Sequence, residues 1–269
     1  MIPTTPNTTT KMAFIDYLKL IRFEWHITFL AVVLGALFFS TDPKPSLFAS
    51  LLLLYASFNV LLYGGIYMLN DVADVKSDRE HSMKRKRPLP SGKVSVKSVM
   101  IISFTLITAG LLTGFLLFNR PIFYTYIAIL ALNIFYTFIA KKVPYLELVT
   151  NSVTHPLRFL MGVLLVSNKI PYLSLLAIFF LYLGLACVRR IVEKDVKGWE
   201  ARKALKFYSG RTLLFVQLAS FFAIILLSAI DTSVSKLLYL LIIAVYTTIA
   251  FGIYISDPIR ALFRRTWTR

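Results

Sequence analysis

Residues 47–78 read LFASLLLLYASFNVLLYGGIYMLNDVADVKSD, an apolar run of 23 residues that is followed directly by an acidic segment. An α-helix rises 1.5 Å per residue, so about 20 apolar residues cross the roughly 30 Å hydrocarbon core of a bilayer. The run therefore predicts a membrane-spanning helix that leads into a charged segment at the membrane surface.

The rest of the chain repeats this pattern, since 57% of its 269 residues are hydrophobic and only 16% are charged. We predict an all-α, polytopic membrane helix bundle with about eight spans. The predicted spans run approximately from Tyr17 to Ser40, Leu47 to Leu69, Val96 to Phe118, Ile122 to Ala140, Tyr145 to Val166, Pro171 to Val192, Thr212 to Ile230 and Lys236 to Ile255. Residues 1–16 form a polar cytoplasmic N-terminus in this interpretation, residues 17–255 the transmembrane domain, and residues 256–269 a basic cytoplasmic tail.

The formal net charge of +17 would favour a nucleic-acid partner in a soluble protein, so the placement of the charges decides. If both termini are cytoplasmic, 25 of the 30 Lys and Arg residues lie on the cytoplasmic side and 4 on the opposite side. That asymmetry follows the positive-inside rule. It predicts an integral protein of the cytoplasmic membrane that has its active site on the cytoplasmic side and contacts anionic lipid or substrate, and it excludes nucleic acid.

The acidic residues are clustered, with 7 of 13 in two cytoplasmic loops. In the first loop Asn70, Asp74 and Asp78 are spaced i, i+4 and i+8, which places them on one face of a helix. Oxygen ligands of this kind suit Mg²⁺, which commonly bridges carboxylates and phosphate oxygens. The loop therefore predicts a magnesium site that binds a phosphate or diphosphate.

A basic run, Lys84-Arg85-Lys86-Arg87, follows the acidic array and ends in Pro88-Leu89-Pro90-Ser91-Gly92. Lys84 and Arg87 are candidate ligands of a diphosphate, because they would neutralise its charge as it leaves. The alternative is that the run only binds anionic lipid headgroups.

The second acidic loop mixes both signs of charge. Asp195 is the preferred metal ligand there, with Glu193 and Glu200 in support. Candidate ligands of phosphate oxygens in the same loop are Arg189, Arg190 and Lys194. The alternative is an amphipathic interfacial helix without a site.

Arg158 lies inside the fifth predicted span, seven residues after Asn151 and hence on the same helix face. A charge in hydrocarbon is costly and should face a cavity or a partner. The pair could therefore contact the acceptor or a phosphate, or it could belong to a polar network that joins helices.

The first loop, Asn70-Asp71-x-x-Asp74-x-x-x-Asp78 followed by Arg87-Pro88-Leu89-Pro90-Ser91-Gly92, resembles the signature of the UbiA superfamily of intramembrane prenyltransferases. The stretch Tyr136-Thr137-Phe138-Ile139-Ala140-Lys141 is similar to the family's Tyr-Ser-x-x-Leu-Lys. The resemblance implies an all-helical fold, usually of nine spans, with two cytoplasmic acidic motifs above a lipid-open central cavity.

The same resemblance implies the site. Asn70, Asp74 and Asp78 would bind one Mg²⁺, and Asp195 with Glu193 or Glu200 a second. Tyr136 would bind substrate, and Lys141 would act with the aspartates in catalysis. The implied reaction is Mg²⁺-dependent transfer of a prenyl group from a prenyl diphosphate to an aromatic or other lipophilic acceptor, through an allylic cation. The second loop has fewer aspartates than the family's usual motif, so metal binding there stays open.

Two alternatives remain. A phosphoribosyl-transferring branch of the superfamily, whose acceptor is a polyprenyl phosphate, is favoured by Lys84 to Pro88 and by Val143-Pro144-x-x-Glu147-Leu148. A non-catalytic transporter would explain the spans, but transporters place ionisable groups near the midplane, whereas only Arg158 is deep here.

Overall fold

The computed structural model describes residues 15–194 and 203–267, and every regular element among them is helical. The α-helices are α1 (Leu30–Phe39), α2 (Pro45–Leu54), α3 (Gly64–Glu80), α4 (Val96–Leu117), α5 (Arg120–Phe138), α6 (Leu146–Val166), α7 (Tyr172–Lys194), α8 (Gly210–Ile230), α9 (Lys236–Tyr246), α10 (Gly252–Ile255) and α11 (Asp257–Trp267). Short 3₁₀ segments cover Phe23–Phe29, Lys84–Lys86, Ala140–Lys142 and Lys203–Phe207, and π-helices cover Tyr55–Tyr63 and Thr247–Phe251. The predicted all-α class is confirmed.

Seven helical segments of the described chain are long and apolar enough to cross a membrane, so the predicted count of eight is not confirmed. They are Ile15–Phe39, Pro45–Glu80, Val96–Leu117, Arg120–Lys142, Tyr172–Lys194, Gly210–Ile230 and Lys236–Ile255. The remaining predicted run forms α6, a helix of 21 residues that contains Glu147 and Arg158. α6 also contains Asn151 and His155, and these polar residues together with Arg158 lower its mean hydropathy.

The chain divides into two compact units. The described part of the first comprises residues 15–27 and Leu53–Phe118, and that of the second comprises Thr28–Leu52 and residues from Asn119 onward. The first acidic array therefore belongs to the first unit, whereas the helices that flank the second acidic loop belong to the second unit.

Small residues bring α4 of the first unit into close contact with α3 and with the π-helix Tyr55–Tyr63 that precedes it. A Cβ added at Gly65 would lie 2.7 Å from the backbone oxygen of Ser103, and one at Gly110 would lie 2.7 Å from the backbone nitrogen of Leu62. The Ser103 hydroxyl also donates to the Gly65 carbonyl at 2.7 Å. Glycine allows such approach between membrane helices. This packing fixes the helix that carries the acidic array.

The polar end of the first unit rests on a small apolar cluster. Its buried members are Leu20, Ile21, Met68, Leu89, Val94 and Val99. Leu89 and Val94 flank a tight turn at Gly92, whose φ of +80° favours glycine. The Ser95 side chain then accepts from the backbone N–H of Ser98 and caps α4. The segment after the basic run is thus attached to the bundle at several points.

Close backbone contact also joins α1 and α6 in the second unit. A Cβ at Gly162 would lie 1.9 Å from the carbonyl oxygen of Val32, and one at Gly35 would lie 2.1 Å from that of Phe159. The core beside them contains Val163, Ile178 and other buried residues of α7 to α10. The two glycines therefore hold α6, with its charged residues, against α1.

A buried carboxylate joins the helix ends at the other side of the second unit. Asp231 accepts from the Ser174 hydroxyl at 2.9 Å and from the Tyr239 hydroxyl at 2.7 Å. It also accepts from the backbone N–H and the hydroxyl of Ser233. These contacts connect the start of α7, the end of α8 and the start of α9.

Gly162→Ala is expected to destabilise the protein by about 1–3 kcal/mol, because the added methyl group overlaps the Val32 carbonyl and forces α1 and α6 apart. The measurement is the thermal midpoint of the purified protein in detergent. Gly210→Ala is the matched control, since a Cβ there meets no atom within 4 Å. Equal midpoints for the two variants would contradict the packing described for α1 and α6.

Candidate active site

The acidic array of the first unit lies on one continuous helix. Asn70, Asp74 and Asp78 all fall within α3, so the predicted i, i+4, i+8 stripe is present. Asp78 is buried at 4% exposure, whereas Asn70 and Asp74 are partly exposed. The helix therefore extends past the apolar run and carries oxygen donors at its polar end.

Asp78 is the point where the acidic array meets the basic run. Its Oδ2 lies 3.2 Å from Nη1 of Arg87, and its Oδ1 lies 3.7 Å from Nζ of Lys84. The structure thus brings together three residues that were selected from the sequence. Arg85 and Lys86, between the two basic partners, are exposed instead.

Asp71 and Arg22 form a second ion pair in this cluster, and neither was selected as a site residue from the sequence. The Arg22 guanidinium donates to Oδ1 of Asp71, which also lies 3.9 Å from Nη1 of Arg87. The same guanidinium lies 5.6 Å from the ring centroid of Tyr67. Asp71 is only 3% exposed. Arg87 therefore lies between the carboxylates of Asp71 and Asp78.

Arg22 also has an uncommon backbone conformation, with φ at 57°. This left-handed region is unfavourable for a residue with a Cβ, and such strain often occurs at functional sites. The residue lies at the end of the first helical turns and before the 3₁₀ segment Phe23–Phe29. Because 49 positions separate it from Asp71, spacing within one helix could not reveal the pair.

The turn that follows α3 is organised by His81. Its Nδ1 accepts from the backbone N–H groups of Met83 and Lys84 at 3.2 and 3.3 Å. The ring is buried at 6% exposure. Burial first, and then the positive charge of Lys84, lowers the pKa of His81 below its usual range. The imidazole is therefore neutral at neutral pH, as acceptance at Nδ1 requires.

The second unit contains a separate buried ion cluster. Arg190 of α7 donates from Nε and Nη2 to the two carboxylate oxygens of Glu147 on α6, at 2.6 and 2.7 Å. Its Nη1 donates to Glu193, which also accepts from Nε of Arg189 at 2.8 Å. Glu147 and Glu193 are fully or almost fully buried. This bidentate arrangement couples the start of α6 to the end of α7.

Tyr208 extends that cluster. Its hydroxyl donates to Oε1 of Glu147 at 2.7 Å and accepts from the backbone N–H of Tyr145 at 3.0 Å. Burial and the negative charge of Glu147 raise the pKa of this hydroxyl, which therefore stays protonated. Lys194 donates to the Tyr208 carbonyl. Tyr145 adopts a positive φ of 64°, so a strained residue accompanies this cluster too.

These contacts bear on the sites predicted in the second loop. Both carboxylate oxygens of Glu193 are bonded by arginines, and Arg190 is engaged by two glutamates, so both side chains already pair within the cluster, as Asp78 does with Lys84 and Arg87 in the first unit. The metal role of Glu193 and the phosphate role of Arg190 stay predictions. Asp195 and Glu200 lie outside the described residues. Glu147 appeared in the sequence only within a resembling stretch, and its partner is 43 positions away.

Arg158 is buried in α6 at 3% exposure. Its Nη1 lies 3.4 Å from Nδ1 of His155 and 3.5 Å from the hydroxyl of Thr154. The His155 ring stacks on Tyr182 of α7 at a centroid distance of 3.4 Å. Asn151, by contrast, is exposed. Arg158 therefore takes part in a polar contact network, as one alternative predicted, and Asn151 does not share its environment.

Tyr136 and Lys141 lie at the end of the same helical span. Tyr136 is near the C-terminus of α5, and Lys141 is in the 3₁₀ segment Ala140–Lys142. Both side chains are partly exposed. Tyr136 lies near Arg190 of the ion cluster in the second unit.

The donor set of the first unit fits Mg²⁺ shared with a phosphate. No group of three or more His, Cys, Asp or Glu side chains in residues 15–194 and 203–267 is arranged to hold a metal alone. Mg²⁺ usually takes one or two protein carboxylates and completes its shell with water and phosphate oxygens. Asp74, Asp78 and the amide of Asn70 meet that need, and Lys84 and Arg87 supply positive charge for the phosphate.

Comparison with known proteins identifies relatives that are named as enzymes of lipid synthesis. Over 166 residues the chain is 30% identical to a decaprenyl-phosphate phosphoribosyltransferase of Corynebacterium glutamicum. The aligned stretch covers 60% of this chain and 50% of that protein. Over 185 residues it is 31% identical to a digeranylgeranylglyceryl phosphate synthase of Methanococcus aeolicus, with 65% and 62% covered. The chain matches between 26% and 56% of the length of several other curated relatives.

The fold has a solved counterpart. A UbiA homologue from Archaeoglobus fulgidus, determined with GPP and Mg²⁺, superimposes with a TM-score of 0.74 at 17% identity over 94% of this chain and 95% of that one. At this identity the likeness establishes the fold alone. The sequence model of the UbiA prenyltransferase family matches residues 29–266. With nearly the whole chain matched, this multi-pass integral membrane protein belongs to the UbiA prenyltransferase family.

Proposed function

We propose that this protein is a Mg²⁺-dependent transferase that moves a prenyl group from a prenyl diphosphate to a lipophilic acceptor. The observation that carries the proposal is the cluster in which Asp78 contacts both Lys84 and Arg87 at the polar end of a membrane span. Carboxylates for a divalent ion and cations for phosphate oxygens meet there. Such a site favours departure of a diphosphate from a donor whose chain lies in the bilayer.

Asn70, Asp74 and Asp78 would hold the magnesium ion. Successive donors on this stripe are separated by about 6 Å along the helix axis, so an ion bound between two of them can also reach a phosphate oxygen. The ion would supply positive charge that stabilises the diphosphate as a leaving group. The relative from Archaeoglobus fulgidus, which was determined with GPP and Mg²⁺, supports this assignment.

The basic partners would neutralise the remaining charge of the diphosphate. Lys84 and Arg87 bind its oxygens, and the carboxylates that now pair with them orient their side chains. Asp71 and Arg22 would support Lys84 and Arg87. Asp71 lies between the Arg22 and Arg87 side chains and would hold the Arg87 guanidinium in place. Arg22 is thus part of the support of the site.

The roles predicted in the rest of the chain remain proposals. Tyr136 would bind substrate and Lys141 would act in catalysis. Asn151 and Arg158 would contact the acceptor or a phosphate. Asp195, with Glu200, is retained as the candidate for a second metal, while Arg189 and Lys194 are retained as phosphate ligands. We assign Arg190 and Glu193 to holding α6 and α7 together, because their charged atoms already bond each other and Glu147.

The location follows from the distribution of basic residues. We place the protein in the cytoplasmic membrane with both acidic loops on the cytoplasmic side and with α6 as an eighth crossing, because 25 of 30 Lys and Arg residues then face the cytoplasm. Residues 1–16, 17–255 and 256–269 remain our divisions into N-terminal segment, transmembrane domain and basic tail. The tail begins with helix α11, which carries Arg260 and Arg264.

A second candidate is transfer of phosphoribose to a polyprenyl phosphate. Relatives in Corynebacterium glutamicum and Mycobacterium tuberculosis bear the name decaprenyl-phosphate phosphoribosyltransferase, and they match 60% and 62% of this chain. The donor in that reaction, phosphoribosyl diphosphate, also releases diphosphate as its leaving group. The same cluster would therefore serve both reactions. The two candidates differ in which substrate carries the lipid chain.

Transfer assays with purified protein separate the two candidates. Labelled prenyl diphosphates and labelled phosphoribosyl diphosphate are each supplied with Mg²⁺, a set of aromatic or lipid-alcohol acceptors, and a polyprenyl phosphate. We expect labelled lipid from the prenyl donor. Product only from phosphoribosyl diphosphate and polyprenyl phosphate would replace the first candidate by the second.

Asp74→Asn and Asp78→Asn are expected to lower kcat/KM by about 10²–10³-fold, because each removes a negative charge that holds the ion against the leaving group. The measurement is initial rate against Mg²⁺ concentration with whichever donor is active. Asp42→Asn is the matched control, since Asp42 is largely exposed and lies outside the cluster. Variants that keep the rate and the Mg²⁺ dependence of the unchanged protein would rule out the metal role of the array.

A further inference from the structure

His81 connects the acidic helix to the basic run. Its backbone N–H donates to the Asp78 carbonyl at 3.3 Å, where α3 ends, and its own carbonyl accepts from the N–H of Arg85 at 3.1 Å. Its side chain accepts from the N–H groups of Met83 and Lys84. One residue thus takes part in both the end of α3 and the start of the Lys84–Lys86 turn.

The side-chain contacts provide an acceptor for the N–H groups at the start of the turn. The first N–H groups of a helical segment have no partner within that segment, and a side-chain acceptor that binds them is a cap. Ser, Thr, Asp and Asn usually provide this acceptor. Here a buried imidazole does so, with two N–H groups converging on the same nitrogen atom.

The capped turn determines where the two cationic side chains begin. The N–H of Lys84 is bound by His81, while its carbonyl accepts from the N–H of Arg87 at 3.0 Å. From these backbone positions Lys84 and Arg87 reach opposite oxygens of Asp78. A change in the turn would therefore move both cations relative to the carboxylate that they share.

We propose that His81 is a positioning residue of the diphosphate site, which caps the Lys84–Lys86 turn through Nδ1 and thereby sets Lys84 and Arg87 for the phosphate oxygens. This inference rests on the proposed function. His81 neither binds metal nor transfers a proton through Nδ1, because that atom already accepts two backbone N–H groups.

Two substitutions separate capping from simple packing. In His81→Asn the amide Oδ1 stands at the same distance from the backbone as Nδ1 and is a strong capping acceptor. In His81→Phe the ring volume is kept but no acceptor remains. Ser82→Ala serves as a control, because Ser82 is an exposed neighbour in the same turn.

The experiment measures binding of inorganic diphosphate to the full-length protein by calorimetry at saturating Mg²⁺, together with KM and kcat for the donor. We expect His81→Phe to weaken diphosphate binding and raise KM by about five- to tenfold, as loss of a cap implies, with a smaller change in kcat. His81→Asn should stay near the unchanged protein, as should Ser82→Ala.

The other outcomes contradict the inference. Unaltered diphosphate affinity in His81→Phe would overturn it, as would an equal loss in His81→Phe and His81→Asn, because the accepting atom would then not matter. If the unchanged protein itself shows no Mg²⁺-dependent binding of diphosphate, the proposed function fails. In that case amide hydrogen exchange at Met83 and Lys84 still tests the cap. Exchange should be faster in His81→Phe than in the unchanged protein.

Discussion

Buried carboxylates at the end of a membrane span have to be paired with cations. The site of the first unit depends on which cations pair with its two buried carboxylates. Asp71 and Asp78 are each less than 5% exposed, and an isolated charge in such surroundings costs several kcal/mol. Arg22, Arg87 and Lys84 offset that cost. The five side chains carry one more positive than negative charge and Asp74 on the same helix balances it, so a bound divalent ion would create the excess that favours an added anion. A phosphate-bearing ligand fits this excess.

The second unit also contains buried carboxylates, and these pair with arginines inside one cluster. Arg190 binds Glu147 and Glu193, and Tyr208 donates to Glu147. Arg189 also binds Glu193, so two arginines balance two glutamates, and the Arg190–Glu147 hydrogen bonds are short and bidentate. Such a pair mainly connects helices, since removal of one member would leave an unpaired buried charge. In our proposal, similar residue types thus bind ligand in one unit and connect helices in the other.

Much of the fold could be predicted because membrane spans have a strong signature in length and composition. The acidic array was also visible, since Asn70, Asp74 and Asp78 lie on one face of a single helix, spaced four residues apart. The ion pair of Arg22 with Asp71 was not, and neither was that of Glu147 with Arg190. Their members are 49 and 43 positions apart, and only tertiary packing brings them together. His81 was missed for another reason, because capping is rarely assigned to histidine.

The central claim is that the acidic array of α3 binds a divalent ion together with a diphosphate. Electron paramagnetic resonance with Mn²⁺ in place of Mg²⁺ tests it most directly, by following the free-ion signal as inorganic diphosphate is added to the protein. We expect the unchanged protein to take up Mn²⁺ with diphosphate beyond what diphosphate alone binds, and Asp78→Asn not to do so. Equal Mn²⁺ uptake by both proteins would contradict it.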